Sequence, residues 1–222
     1  MNIDTLLNYG SRLIILIMCI PVHEFAHAWA ATKLGDDTPT HQNRLTLNPL
    51  AHLDPIGSIG ILLCGFGWGK PVQVNPARFN RKHSMRAGMA ITAAAGPISN
   101  LIMALIGTIV YKLLLGAAGN GSEALGWLAM ITMYFIYINI GLAVFNLIPV
   151  APLDGQKIVS YFLPDRINAK IAQYQTVISI AMLLILFSGL LDVPMWWVKS
   201  GIYWLLDKIT FFMDPLVNTI FK

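Results

Sequence analysis

Hydrophobic positions along this chain fall into long blocks. No charged residue occurs between Ala87 and Val110, between Ala124 and Leu153, or between Ile171 and Leu191. A bilayer core about 30 Å thick needs roughly 20 apolar helical residues to cross it. Each block therefore predicts a membrane span, the second ending near Asn146 to Pro149, where proline breaks the pattern. The first apolar block, Leu13 to Val22, is only ten residues long. It reaches the required length only if His23, Glu24 and His27 also lie in the membrane, on a helix from about Thr5 to Lys33. Ionisable groups at such depth are expensive and usually functional.

A competing reading of this first block is a cleaved signal peptide, because Ala28-Trp29-Ala30 imitates a small-residue cleavage site. Asp4 and Arg12 cancel, however, so the leading segment has no net positive charge, and the charged trio beside the cut argues for a retained span. The tail from Val193 is tryptophan-rich but interrupted by Lys199, Asp207 and Lys208, which suits an interfacial helix or a short tilted span.

Composition sharpens this picture. Of 222 residues, 56% are hydrophobic and 12% charged, with a mean hydropathy of +0.63. Soluble domains carry about a quarter charged residues, so a soluble fold is excluded. Two cysteines exclude a disulfide scaffold, and a net charge of +4 is too small and dispersed for nucleic-acid binding. The expected fold is an all-α polytopic membrane protein. Between the first two spans, residues 39–80 are rich in Pro and Gly with short β-prone runs at Arg44 to Leu47, Ile59 to Leu63 and Val72 to Val74. Those features predict a small membrane-associated β element with hairpin turns.

Lysine and arginine set the expected orientation. Seven fall from Lys33 to Arg86, only Lys112 near residues 112–123, and Lys157, Arg166 and Lys170 after the third span. By the positive-inside rule the N-terminus is outside, and both the 34–86 segment and the 150–170 segment face the cytoplasm.

His23-Glu24-Phe25-Ala26-His27 is an H-E-x-x-H pattern on a helix. Four residues make slightly more than one turn, so both imidazoles share a face and can hold one zinc ion. Glu24, rotated by about 100° from His23, lies beside the metal and can take a proton from its water. Catalytic zinc usually has three protein ligands, so a third must come from elsewhere. Asp154 is singled out because it follows a span on the same side, after Pro149 and Pro152, with Gly155 allowing close backbone approach. Its alternative role is to cap the following helix.

These motifs, with the segments Asn48 to Gly57, Gly67 to Val72, Ala95-Gly96-Pro97-Ile98-Ser99-Asn100 and Asn146 to Gly155, resemble the site-2 protease family of intramembrane zinc metalloproteases in its compact prokaryotic form. The resemblance implies that His23, His27 and Asp154 bind zinc, one ion per chain, and that Glu24 is the general acid/base. It implies a core over residues 1–165 with spans at about 5–33, 87–115 and 124–149, and C-terminal transmembrane or interfacial helices over 166–222. It also implies cleavage, near the cytoplasmic face of the cell membrane, of a transmembrane protein or peptide substrate within the lipid bilayer. Ala151 departs from the family pattern, which often has proline there. No PDZ or CBS domain is expected.

Asn100 and Asn146 are candidates to contact an oxyanion or the substrate backbone, or else to tie helices together. The Val72, Gln73 and Val74 run is a candidate substrate clamp that pairs with an unwound strand. His52 suits a structural or gating role, His41 and His83 read as exposed loop residues, and Cys19 as a packing residue. Two alternatives use the same His/Asp site: a polytopic metal transporter and a non-catalytic metal-binding membrane protein. A transporter needs polar residues continuing outward, whereas Leu13 to Met18 are aliphatic; intact Glu24 disfavours a non-catalytic relative.

Overall fold

A computed structural model describes residues 3–119 and 121–221, with side chains from Tyr9 onward. Three helices are long and apolar enough to cross a membrane: Tyr9–Lys33, Met85–Ala118 and Glu123–Asn146. The first is built from α1 (Ile3–Ile14), a π-helical turn at Ile15–Cys19 and α2 (Ile20–Lys33). Pro21 explains the irregular turn. It has no N–H to offer the carbonyl four residues back, and the chain widens so that the Ile20 N–H bonds the Ile15 carbonyl instead.

The connection after α2 carries α3 (Thr38–His41), α4 (Pro49–His52), α5 (Pro55–Cys64) and a 3-10 turn at Pro76–Arg78. The expected β element does not form. Among the described residues there is no strand, only an isolated antiparallel bridge between Leu53 and Gly69. The reason is local. Asn48, Asp54 and Asn75 each precede a proline, and each accepts a bond from a backbone N–H two or three residues on: Leu50, Gly57 and Ala77 at 3.1, 2.8 and 3.1 Å. An Asx N-cap followed by proline starts a helix, and that signal overrides the β-prone content of Ile59 to Leu63. Helix α5 packs Ile61 against Leu16 and Ile20, leaves Ile56, Ile59 and Leu63 exposed, and has its Leu62 carbonyl bonded by Arg12.

The chain returns from α5 as a segment without helix or strand. The Lys70 N–H bonds the His52 carbonyl at 2.8 Å, and the buried Arg44 guanidinium binds the carbonyls of Ala51, Lys70 and Pro71. The Asn75 N–H donates to the buried Asp36 carboxylate at 2.7 Å. Nearby, the Arg78 guanidinium bonded to Asp37 holds that exposed carboxyl below the usual carboxylate range.

Helix α6 (Met85–Ala118), capped by Ser84, is the hub, packing against α2, α7 (Glu123–Asn146) and α8 (Asp154–Phe162). Its small residues let neighbours approach. Ala104, Ile136, Ile140 and Val144 form the main buried cluster with Leu206 of α11 (Asp192–Ile209). The uncharged stretch 171–191 is not one straight helix. It is divided at Tyr174 between α9 (Asp165–Gln173) and α10 (Gln175–Phe187), which meet at 70°. Lys112 ties α11 and α12 (Met213–Ile220) to α6 through Asp207 and Asp214 at 3.0 and 2.9 Å. These helices make the fold all-α and multi-pass.

Candidate metal centre

His23 and His27 lie one turn apart on α2, both buried, with Nε2 atoms 3.0 Å from each other. Asp154, the first residue of α8, is buried against them, its Oδ2 at 3.2 Å from His23 and 3.1 Å from His27. Leu153 occupies the N-cap position of α8, so Asp154 is free to turn toward the histidines. Close approach is allowed by Gly155. A Cβ there would lie 2.3 Å from the Leu147 carbonyl oxygen and 2.5 Å from that of Ile148. The turn that delivers Asp154 contains a cis Ala151-Pro152 peptide bond.

The outer nitrogens decide the chemistry. His27 Nδ1 donates to the Thr92 carbonyl at 2.7 Å, and a carbonyl can only accept. His23 Nδ1 donates to Asn100 Oδ1 at 2.6 Å. That amide is oriented because its nitrogen donates to Asn139 Oδ1 at 2.9 Å, while the Asn139 nitrogen donates to the Phe135 carbonyl at 2.9 Å and contacts Cys19 Sγ at 3.4 Å. Both Nε2 atoms are therefore lone pairs in the neutral imidazoles. Together with Asp154 Oδ2 they form three converging acceptors with no donor among them, an arrangement that a cation satisfies. Their separations of 3.0 to 3.2 Å fall near the edge of about 3.3 Å for a tetrahedral site with bonds of about 2.0–2.1 Å. The residues present fit a zinc ion, and among the described residues theirs is the one His/Cys/Asp/Glu cluster of this kind.

Gly96 supplies the space for this pair. A Cβ on it would lie 2.4 Å from His27 Nε2 and 2.6 Å from His23 Cε1. In the sequence Gly96 stands only as part of the Ala95 to Asn100 segment; its neighbour across the interface is the ligand pair itself. The Thr92 carbonyl and Asn139 were also missed. A backbone carbonyl has no sequence signal, whereas Asn139 was visible as an asparagine inside an uncharged span.

A cavity of about 750 Å³ opens beside the cluster. Glu24 is on its wall, with Oε2 accepting the Val72 N–H at 3.0 Å. Val72 and Val74 line the same cavity, while the Gln73 side chain turns out to Gln42 at 2.7 Å. Asn146 also lines it, its amide nitrogen donating to the Leu142 carbonyl at 3.0 Å. Asn100 does not reach the cavity; it is fully buried as an interhelical bridge from α6 to α2 and α7. His52 is fully buried and bonds the Thr46 carbonyl at 2.7 Å, away from the cluster, and His41 pairs with Asp37 at the surface.

Residues 114–187 match the profile described as Peptidase family M50. The protein named "Putative zinc metalloprotease YwhC" of Bacillus subtilis is 41% identical over 188 residues, covering 83% of each chain. Two proteins named "Putative zinc metalloprotease Rip2" are more distant. That of Mycolicibacterium smegmatis is 27% identical and that of Mycobacterium tuberculosis strain H37Rv 26%, each across 86% of this chain and 71% of its own. No solved structure matches the chain. The shared length and identity with the Bacillus protein, added to the buried His/His/Asp cluster on membrane-crossing helices, place this chain in peptidase family M50.

Proposed function

We propose that this protein is a zinc-dependent endopeptidase that hydrolyses peptide bonds in or near transmembrane segments of membrane-protein substrates. The observation that carries the reading is the convergence of His23 Nε2, His27 Nε2 and Asp154 Oδ2 within a membrane-spanning bundle, beside a cavity that also holds Glu24. These three residues would hold one zinc ion per chain. Zinc, when bound, supplies a water of pKa near 7 and a Lewis acid for a carbonyl.

Glu24 acts as general base toward the attacking water and returns the proton to the leaving amine. The Val72 N–H occupies its Oε2 and fixes the carboxylate's orientation, leaving Oε1 for the proton. Asn146, on the cavity wall, retains one amide hydrogen for the substrate backbone.

The rest of the wall is largely apolar, with Ile20, Phe66, Met182 and Leu186 among its residues, which suits a substrate taken from the lipid bilayer. A helical substrate hides its carbonyls in i to i−4 bonds and must unwind before hydrolysis. The Val72-Gln73-Val74 segment, whose Val72 N–H is held by Glu24, offers its other main-chain groups to the unwound strand, so clamping is by strand addition to this single segment.

In this reading residues 1–165 are the catalytic core and 166–222 the flanking helices. The N-terminus is outside the cell membrane and the cavity opens toward the cytoplasm. Arg86 pairs with Asp165, which puts the two Lys/Arg-rich segments at one end of the bundle.

The test is a reconstituted single-span substrate in proteoliposomes, comparing wild type with Glu24→Gln. Cleavage should require zinc and fall by about 10²–10⁴-fold in the variant, with zinc content unchanged. Zinc-loaded protein that leaves the substrate intact, yet carries metal across the bilayer with or without Glu24, would replace this reading with a transporter.

A further inference from the structure

Hydrolysis of a peptide places negative charge on the scissile carbonyl oxygen as water adds to the carbon. Enzymes meet that charge with donors fixed in advance. The side-chain donors on the cavity wall besides the histidines are Trp68 Nε1, the Thr92 hydroxyl, Ser179, Asn146 and Lys157. Asn100 is spent between His23 and Asn139 and does not reach the cavity. Ser179 Oγ donates to the Ala151 carbonyl at 3.2 Å, and one hydrogen of the Asn146 amide is used on Leu142. The second Asn146 hydrogen, Trp68 Nε1 and the Thr92 hydroxyl are neutral donors, and among the lining residues Lys157 is the one lysine or arginine.

Lys157 stands one turn beyond Asp154 on α8. Its Nζ is 3.6 Å from Asp154 Oδ1, the oxygen turned away from the two imidazoles. That separation lies beyond hydrogen-bond range, and no hydrogen bond to another described group consumes the ammonium's hydrogens. The side chain is 45% exposed, so it has room to move along the cavity wall. Its place in the chain is also against the local field. A cation near the N-terminal end of a helix faces the positive end of the dipole, so the dipole does not favour a lysine here, and among the described residues its one ion-pair partner is the ligand Asp154.

We propose that Lys157 is a catalytic residue whose ammonium donates a hydrogen bond to the scissile carbonyl oxygen and stabilises the charge that grows there. It forms no covalent bond and keeps its protons; water, Glu24 and the leaving amine carry the bond changes. The inference rests on the endopeptidase reading above and names the second electrophile of that site.

Three measurements on full-length Lys157→Met and Lys157→Arg test it: zinc content, binding of inorganic phosphate as a tetrahedral oxyanion probe to zinc-loaded protein in the Glu24→Gln background, and steady-state cleavage by otherwise wild-type protein. Lys157→Met should retain zinc, lose phosphate affinity by about tenfold or more, and lose about 10²-fold in kcat with little change in KM. Lys157→Arg should recover most of both losses. Unchanged phosphate binding and kcat in Lys157→Met overturn the proposal. So does a loss of activity that tracks zinc content, because Lys157 would then only steady the Asp154 ligand. If wild type cleaves nothing, the endopeptidase reading falls while the phosphate measurement still decides whether Lys157 receives an oxyanion.

Discussion

Gly96→Ala should damage the metal centre while favouring the helix that carries it. The added methyl would lie 2.4 Å from His27 Nε2, 2.5 Å from His27 Cε1 and 2.6 Å from His23 Cε1, where ordinary contacts begin at 3.4 Å. Relief needs a shift of about 1 Å, against a tolerance of about 0.2 Å in metal–ligand distances. Neither ring can swing aside cheaply, since His27 is pinned to the Thr92 carbonyl and His23 to Asn100. Outer-sphere substitutions that disturb one ligand cost about 10–100-fold in metal affinity. Disturbing two should reach at least ~100-fold, or roughly 2.7 kcal/mol. Alanine is better than glycine inside a helix by about 1 kcal/mol, so loss of helix propensity cannot be the source. The assay is a zinc competition titration against a chromogenic chelator, with melting temperature read with and without chelator. Wild-type zinc affinity in Gly96→Ala would refute the argument that this glycine makes room for the ligand pair.

Two further outcomes follow from the same geometry. Asn100→Leu leaves the buried His23 Nδ1 proton and Asn139 without their partner, and should weaken zinc binding by about 10–100-fold in the same titration; unchanged affinity would mean the bridge does not orient His23. Val72→Pro removes the N–H that holds Glu24 and should lower kcat, whereas Val74→Pro blocks strand pairing and should raise KM, both with zinc content intact; cleavage kinetics equal to wild type in Val74→Pro would reject the clamp.

The sequence by itself determined the features that rest on local rules. Charge-free blocks marked the crossing helices, because a bilayer accepts only long apolar segments with satisfied backbones. The H-E-x-x-H spacing put two imidazoles on one face, because helix periodicity is fixed. Asp154 was singled out by its place just after a span, though its contact with the histidines depends on how tightly α8 packs under Leu147 and Ile148. In the 39–80 segment two local signals competed, and the Asx-Pro starts at Asn48, Asp54 and Asn75 won over the β-prone runs.

Only the tertiary structure decided the rest. The Thr92 carbonyl, the Val72 N–H, the Asn100–Asn139 bridge and the Gly96 clearance join residues far apart in the chain through single atoms. Composition and periodicity describe neighbours along a helix or strand. They carry no information about which backbone group, 48 or 65 residues away, will meet a given side chain when the helices pack.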